Sequence, residues 1–261
     1  MTGITAYTIW ERLNEPRPIA QIPQEFIRPK EEVIQLSNSE ILIKEFNQIN
    51  SQISSFDSSE ISVKVWENGM RFRISGAMHY EKPKRFRFKI WTPMGLEMDF
   101  GSNDQLFWYW SRRDIHPGLY YASYEDYHKT YLKTPFNPVF LRESLGLDQI
   151  DTSNANIAEN EKYVIPTWQK INAMNEKVLY SMFLNKTTKR MDGIVISNLS
   201  GKILASCEIT YEGLLPKRIL YDWQEEQRSL TIEFNQVFTN RAAPSSLWEL
   251  PQYYPKIDMG K

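Results

Sequence analysis

From residue 60 to 123, and again from 163 to 234, apolar and polar side chains alternate with a period of two. Successive side chains of an extended strand point to opposite faces, so this period writes sheet with one dry and one wet side. Ile61, Val63 and Val65 alternate with Ser62 and Lys64, and Met70, Phe72, Ile74, Gly76, Met78 and Tyr80 with Arg71, Arg73 and Ser75. Phe86, Phe88 and Ile90 alternate with Arg85, Arg87 and Lys89, and Leu96, Met98 and Phe100 with Glu97 and Asp99. Asn68-Gly69, Lys82-Pro83, Pro93-Met94-Gly95 and Gly101-Ser102-Asn103-Asp104 separate these runs. Such neighbours, joined by short turns, pair as an antiparallel meander. Val178 to Leu184, Ile194 to Ile196, Ile203 to Tyr211, Ile219 to Trp223 and Leu230 to Phe234 make a second block.

Two helices break the pattern. Leu42, Ile43, Phe46, Ile49 and Ile53 recur at steps of three and four, which predicts a helix over 39–53 capped by Ser37 or Ser39. Pro138 to Gly146 reads as a short helix with Asn137 as its cap, and the polar stretch 150–162 as a loop. Prolines at 16, 18, 23 and 29 make residues 1–35 an extended N-terminal arm, either a tether or a strap packed along the domain. Residues 36–251 then form one domain and 252–261 a C-terminal tail.

Composition narrows the functions. Thirty-one Lys and Arg against thirty-two Asp and Glu leave a net charge of −1, which excludes general polyanion binding and gives no reason to expect a nucleic-acid partner. The lone Cys207 allows no intramolecular disulfide and no cysteine cluster for zinc, and its alternating position makes it a small core residue. No apolar run approaches the about 20 residues of a spanning helix. The start at Met1-Thr2-Gly3 has no signal-peptide pattern, so the chain is either cytosolic or follows a segment already removed. His79, His116 and His128 form no metal-hydrolase spacing, and there is no Gly-x-Ser-x-Gly elbow or phosphate-binding glycine loop. Glu97 and Asp99 share a strand face, as a solvated pair or an acid–base pair. The arginine ladder is either a positive docking patch or the wet side of the sheet, paired with Glu97 and Asp99 across strands. No catalytic residue, metal or cofactor is expected, and the chain reads as a protein other than an enzyme.

Aromatic residues make up 13% of the chain. Phe107-Trp108-Tyr109-Trp110 put bulk on both faces of one strand. One face joins the core, and the other needs cover from the chain itself or from an apolar ligand.

The stretches Lys82-Pro83-Lys84-Arg85-Phe86-Arg87-Phe88, Asn103-Asp104-Gln105-Leu106-Phe107-Trp108-Tyr109 and Ser246-Leu247-Trp248-Glu249-Leu250-Pro251 carry a family likeness. With the order helix, meander, helical insert, meander, residues 36–251 resemble the bacterial lipoprotein-sorting proteins LolA and LolB and their envelope-lipoprotein relatives. That resemblance implies a mainly β (α+β) fold: a curved antiparallel half-barrel of about eleven strands wrapped around a few helices. It also implies a periplasmic or outer-membrane-anchored protein whose apolar concave side takes a lipid or acyl chain. A partner lipoprotein would be possible, and a membrane tether would run through an N-terminal lipid on a cysteine preceding residue 1. The expected lining is Phe72, Ile74, Phe86, Phe88, Ile90, Leu96, Met98, Phe100, Trp108 and Trp110. The alternative is an envelope interaction module whose cavity is filled by its own side chains and which docks a partner protein.

Overall fold

The computed structural model describes residues 36–67, 69–114, 116, 118–126, 138–172, 176–252 and 254–260. The expected arm over 1–35, the turn residue Asn68, the cap Asn137 and His128 lie outside the described residues.

Helix α1 (Leu36–Ser51) leads into strands β1 (Ser55–Glu67), β2 (Met70–Glu81), β3 (Arg85–Thr92), β4 (Gly95–Ser102), β5 (Leu106–Ser111) and β6 (Leu119–Ser123). After the short helix α2 (Pro138–Glu143) come β7 (Asn156–Glu159), β8 (Tyr163–Ile171), β9 (Lys177–Asn185), β10 (Met191–Asn198), β11 (Ile203–Glu212), β12 (Leu215–Trp223) and β13 (Arg228–Thr239). A 3-10 turn at Ser245–Trp248 precedes β14 (Lys256–Asp258).

All of these strands belong to one 14-stranded sheet in the order β14-β6-β5-β4-β3-β2-β1-β13-β12-β11-β10-β9-β8-β7. Each block is a meander, and the two meet where β1 pairs with β13, with Val63 opposite Ile232 and Val65 opposite Leu230. The sheet ends on β14 and β7, so it curves without closing. It has more strands than period two predicts. β7 and β14, of 4 and 3 residues, are too short to show an alternation. β7 also replaces part of the loop expected over 150–162, and β14, parallel to β6, places the C-terminal residues on a sheet edge.

The inner face packs on the helices. Leu42, Ile43 and Phe46 of α1 and Phe140, Leu141, Leu145 and Leu147 in and after α2 share one core with apolar residues from both meanders. Cys207 is buried in it, and that burial pushes its thiol pKa up, so it packs as a small hydrophobe. Across β3 to β6 an aromatic ladder runs Phe88, Phe100, Tyr109, Tyr120 with centroid spacings of 6.1, 6.3 and 4.9 Å. Each step joins residues directly opposite in register, where cross-strand pairs stabilise a sheet best.

The outer face is not uniformly wet. Arg87 Nη2 donates to Asp99 Oδ2 at 2.6 Å, and both residues are buried. Arg87 Nη1 donates to the carbonyls of Leu247 and Glu249 at 3.2 and 3.1 Å, and its guanidinium lies 5.1 Å from the Trp108 ring centroid. Arg85 is bonded to Glu81 and Asp104. Arg85 and Arg87 of the ladder are therefore neutralised by carboxylates, while Arg73 donates to Ser62. Asp99 and Glu97 are buried ion-pair partners rather than the solvated or catalytic pair considered above, because arginines and the C-terminal segment enclose them. His79, expected on the wet side, is partly buried with Nδ1 2.9 Å from Asp57 Oδ2. Trp108, Trp110 and Leu119 form an outer cluster under Leu250 and Tyr254, with Trp110 and Tyr254 stacked at 4.3 Å. The C-terminal segment thus covers the second face of the aromatic run.

This layer has no slack at Gly101, where a Cβ would sit 2.3 Å from the Trp108 ring. Gly101→Ala should destabilise the fold by about 2 kcal/mol through overpacking. Asp99→Ala, which strands a buried guanidinium, should cost about 3–5 kcal/mol. Urea unfolding followed by tryptophan fluorescence checks both, and values within error of the parent chain would refute this account of the outer layer.

Candidate functional site

At the end of the half-barrel that carries the β1–β2, β3–β4 and β12–β13 turns, the inner face is open among the described residues. A groove of about 570 Å³ lies there, walled by Val65, Phe72, Ile74, Ile90, Met98, Phe100, Tyr109 and Leu230. None of its lining residues belongs to α1 or α2. Its size falls within the range of small-molecule sites.

The rim is charged, and much of that charge is paired. Glu97 accepts from Thr92 Oγ1 at 2.9 Å and lies 3.4 Å from both Arg112 and Arg113. Arg228 pairs with Glu67 and Glu226. Burial, reinforced by the charge of Asp114, pushes the Tyr109 phenol well up, so it enters the groove neutral. The mouth is therefore polar without one dominant sign. Among the described residues no group of three His, Cys, Asp or Glu is placed to hold a metal.

The expected lining residues separate into three sets. Phe72, Ile74, Ile90, Met98 and Phe100 do wall the groove. Phe86 and Phe88 share that face but are fully buried beyond it, in the packed middle of the core. Leu96, Trp108 and Trp110 lie on the outer face, under the C-terminal segment. A bulge explains Leu96. Ile90 pairs with Met98 while Trp91 pairs with Leu96, so Glu97 is the extra residue and Leu96 and Met98 fall on opposite faces. Register explains the tryptophans. Tyr109 opposite Phe100 commits the odd-numbered aromatics of β5 to the core and turns Trp108 and Trp110 outward. Sequence reasoning omitted Val65 and Leu230, which meet only through the β1–β13 pairing. Their alternation was visible, but the contact between them was not.

A second cavity of the same volume opens at the other end of the strands, beside the β2–β3 turn and residues 142–151. Its frame is a buried polar network. Asn50, at the end of α1, donates through Nδ2 to the carbonyls of Gly146 and Asp148 at 3.0 and 2.9 Å and accepts from Arg190 Nη1 at 2.9 Å. Asn47 donates to Ile150 O at 2.9 Å and accepts from Ile150 N at 2.7 Å. Tyr80 donates to Asp148 Oδ1 at 2.5 Å, and Arg142 Nε lies 3.3 Å from Asp148 Oδ2. Burial pushes the Asp148 carboxyl up, more strongly than Arg142 pulls it down. The segment after α2 is thus fixed to α1 by side-chain amides rather than by strand pairing.

Asn50→Ala would leave Arg190 Nη1 and two carbonyls without these partners. It should destabilise the chain by about 3 kcal/mol and loosen residues 146–150. Hydrogen exchange checks this: protection of Ile150 should fall before that of the β1–β13 seam, and simultaneous loss would refute it.

No protein-family model matches the sequence, and no curated protein matches it. Solved structures do match. A DUF1329 family protein from Desulfovibrio piger aligns with 82% of this chain and 96% of its own at 9% identity and a TM-score of 0.58. A LolA superfamily protein from Nitrosomonas europaea aligns with 81% of this chain and 97% of its own, at 8% identity and 0.53. A putative outer membrane lipoprotein-sorting protein domain from Vibrio parahaemolyticus aligns with 80% and 97%, at 8% identity and 0.56. The chain therefore has the LolA-like fold expected from its sequence.

Proposed function

We propose that this protein is a non-enzymatic carrier of the bacterial cell envelope that holds an acyl chain of a lipid or lipoprotein in the groove at the hairpin end of its half-barrel. The observation that supports this reading is the apolar wall of Phe72, Ile74, Ile90, Met98 and Phe100, left open where the helices do not reach. Each methylene moved from water onto that wall contributes about 0.8 kcal/mol, and the contact is non-directional. A chain held in this way leaves when a membrane or acceptor offers a better apolar surface. In the same reading residues 1–35 tether the domain to the membrane.

A second reading, an interaction module that docks a partner protein, is favoured by one observation. Phe86, Phe88 and Phe107 fill the middle of the inner face with the chain's own rings, while Met70 and Met94 stand exposed at the hairpin tips.

Titration with a fluorescent monoacylglycerol, which has an acyl chain and no charge, separates the two. The carrier reading expects saturable binding that Ile74→Glu and Met98→Glu each weaken at least about tenfold while the fold, checked by circular dichroism, stays intact. Absence of binding by the parent chain, or parent-like binding by both variants, would overturn it and leave the docking module.

A further inference from the structure

The cavity at the turn end differs from the hairpin groove in its charge. Four cations, Lys82, Lys84, Arg142 and Lys170, line it against three carboxylates, Glu143, Asp148 and Asp151. Two of the cations already have carboxylate partners: Arg142 with Asp148, and Lys170 with Glu143 at 3.5 Å. Glu143 also accepts from Tyr180 at 2.5 Å, and Asp148 from Tyr80. The third carboxylate, Asp151, is exposed and accepts from its own loop at Ser153 N.

Lys82 and Lys84 remain. Among the described residues neither ammonium has a carboxylate within ion-pair distance. Lys82 Nζ donates to the carbonyl of Asn50 at 2.5 Å, which occupies one of its three protons. It is partly buried, and that burial lowers its pKa even though Asp148 acts to raise it. Lys84 Nζ sits 4.7 Å from the Tyr124 ring centroid, on the exposed side of the same turn. Two cations two residues apart, one partly desolvated, therefore line a cavity that is also lined by the apolar side chains of Phe46, Trp168, Met182 and Met191.

We propose that this cavity is a second site, distinct from the hairpin groove, that binds an amphiphile through an anionic phosphate or carboxylate head held by Lys82 and Lys84, with the first part of its apolar chain lying against Trp168 and Met182. A head of that charge supplies an anionic acceptor for the two ammonium groups, and charge-assisted hydrogen bonds of this kind are the strong ones. The apolar wall adds what a free anion cannot use. The site stands on its own residues and does not depend on the hairpin groove being a lipid site.

Isothermal titration calorimetry on the full chain tests this with three probes: decyl phosphate and decyl maltoside, each below its critical micelle concentration, and inorganic phosphate. The parent chain should bind decyl phosphate at least about tenfold more tightly than either of the others. Lys84→Glu, an exposed change that leaves the fold alone, should weaken decyl phosphate about tenfold or more and leave decyl maltoside unchanged. Lys82→Met should act in the same direction, with thermal unfolding measured alongside because it also frees the Asn50 carbonyl. Met98→Glu, in the hairpin groove, should leave the tight, Lys84-dependent binding of decyl phosphate unchanged, so the two sites fail separately. Equal affinity for the phosphate and the maltoside would overturn the proposal. So would parent-like binding by Lys84→Glu, or loss of binding in Met98→Glu alone. Inorganic phosphate binding as tightly as decyl phosphate would overturn the amphiphile in favour of a free anion.

Discussion

The pairing of β1 with β13 is the contact on which the rest of the molecule depends. Every other long strand pairs with its neighbour in sequence, so each meander needs only local contacts. The seam joins residues as far apart as Phe56 and Thr239, 183 positions, and turns two ribbons into one curved sheet. The entropy of closing so long a loop grows only slowly with its length, but contacts this distant in sequence make folding slow. The residues at the seam suit that demand: Val63 and Ile232 are fully buried and directly opposite each other, and Lys64 with Glu233 lies on the wet side. Val65 opposite Leu230 then continues the seam into the hairpin groove, so the wall of the candidate site is made by the same pairing that makes the sheet.

Helix α1 reinforces the seam from the inside. It leads directly into β1, yet its side chains reach the second meander: Ser39 donates to Glu159, Glu45 pairs with Lys189, and Asn50 accepts from Arg190. The first helix of the chain therefore straddles the two halves. Its amides also hold the segment after α2, so the polar frame of the turn-end cavity and the closure of the sheet share Asn50. A change there would be felt in both.

What could be read in the sequence follows from how local each feature is. Period two placed the strands, because side-chain direction within a strand depends only on its own residues. The helix, which runs Leu36–Ser51 rather than 39–53 and so takes in both expected caps, Ser37 and Ser39, was legible for the same reason, and so was the buried role of Cys207. Leu96 was misassigned because one bulged residue, Glu97, reverses the face, and nothing in Gly95-Leu96-Glu97-Met98 announces a bulge. Trp108 and Trp110 were misassigned because Phe107-Trp108-Tyr109-Trp110 is apolar at every position and so carries no phase. Only the register against Phe100 fixes which pair faces inward. The cover over the outward pair comes from residues near 250, and no local pattern could have named it.

The two ends of the inner face also differ for a physical reason. Rings from β2 to β5 pack the middle, so any cavity must lie where strands give way to turns. At the hairpin end most of the charge at the mouth is paired, Glu97 with its arginines and Arg228 with its glutamates, while Arg73 donates to Ser62, so the apolar wall is the feature a ligand can use. At the other end the cross-pairing is incomplete. The carboxylates of Glu143 and Asp148 are already engaged with Arg142, Lys170 and the two tyrosines, so the turn lysines keep their charge facing the cavity. Burial makes an unneutralised ammonium costly, and the chain keeps one at Lys82 beside an apolar wall.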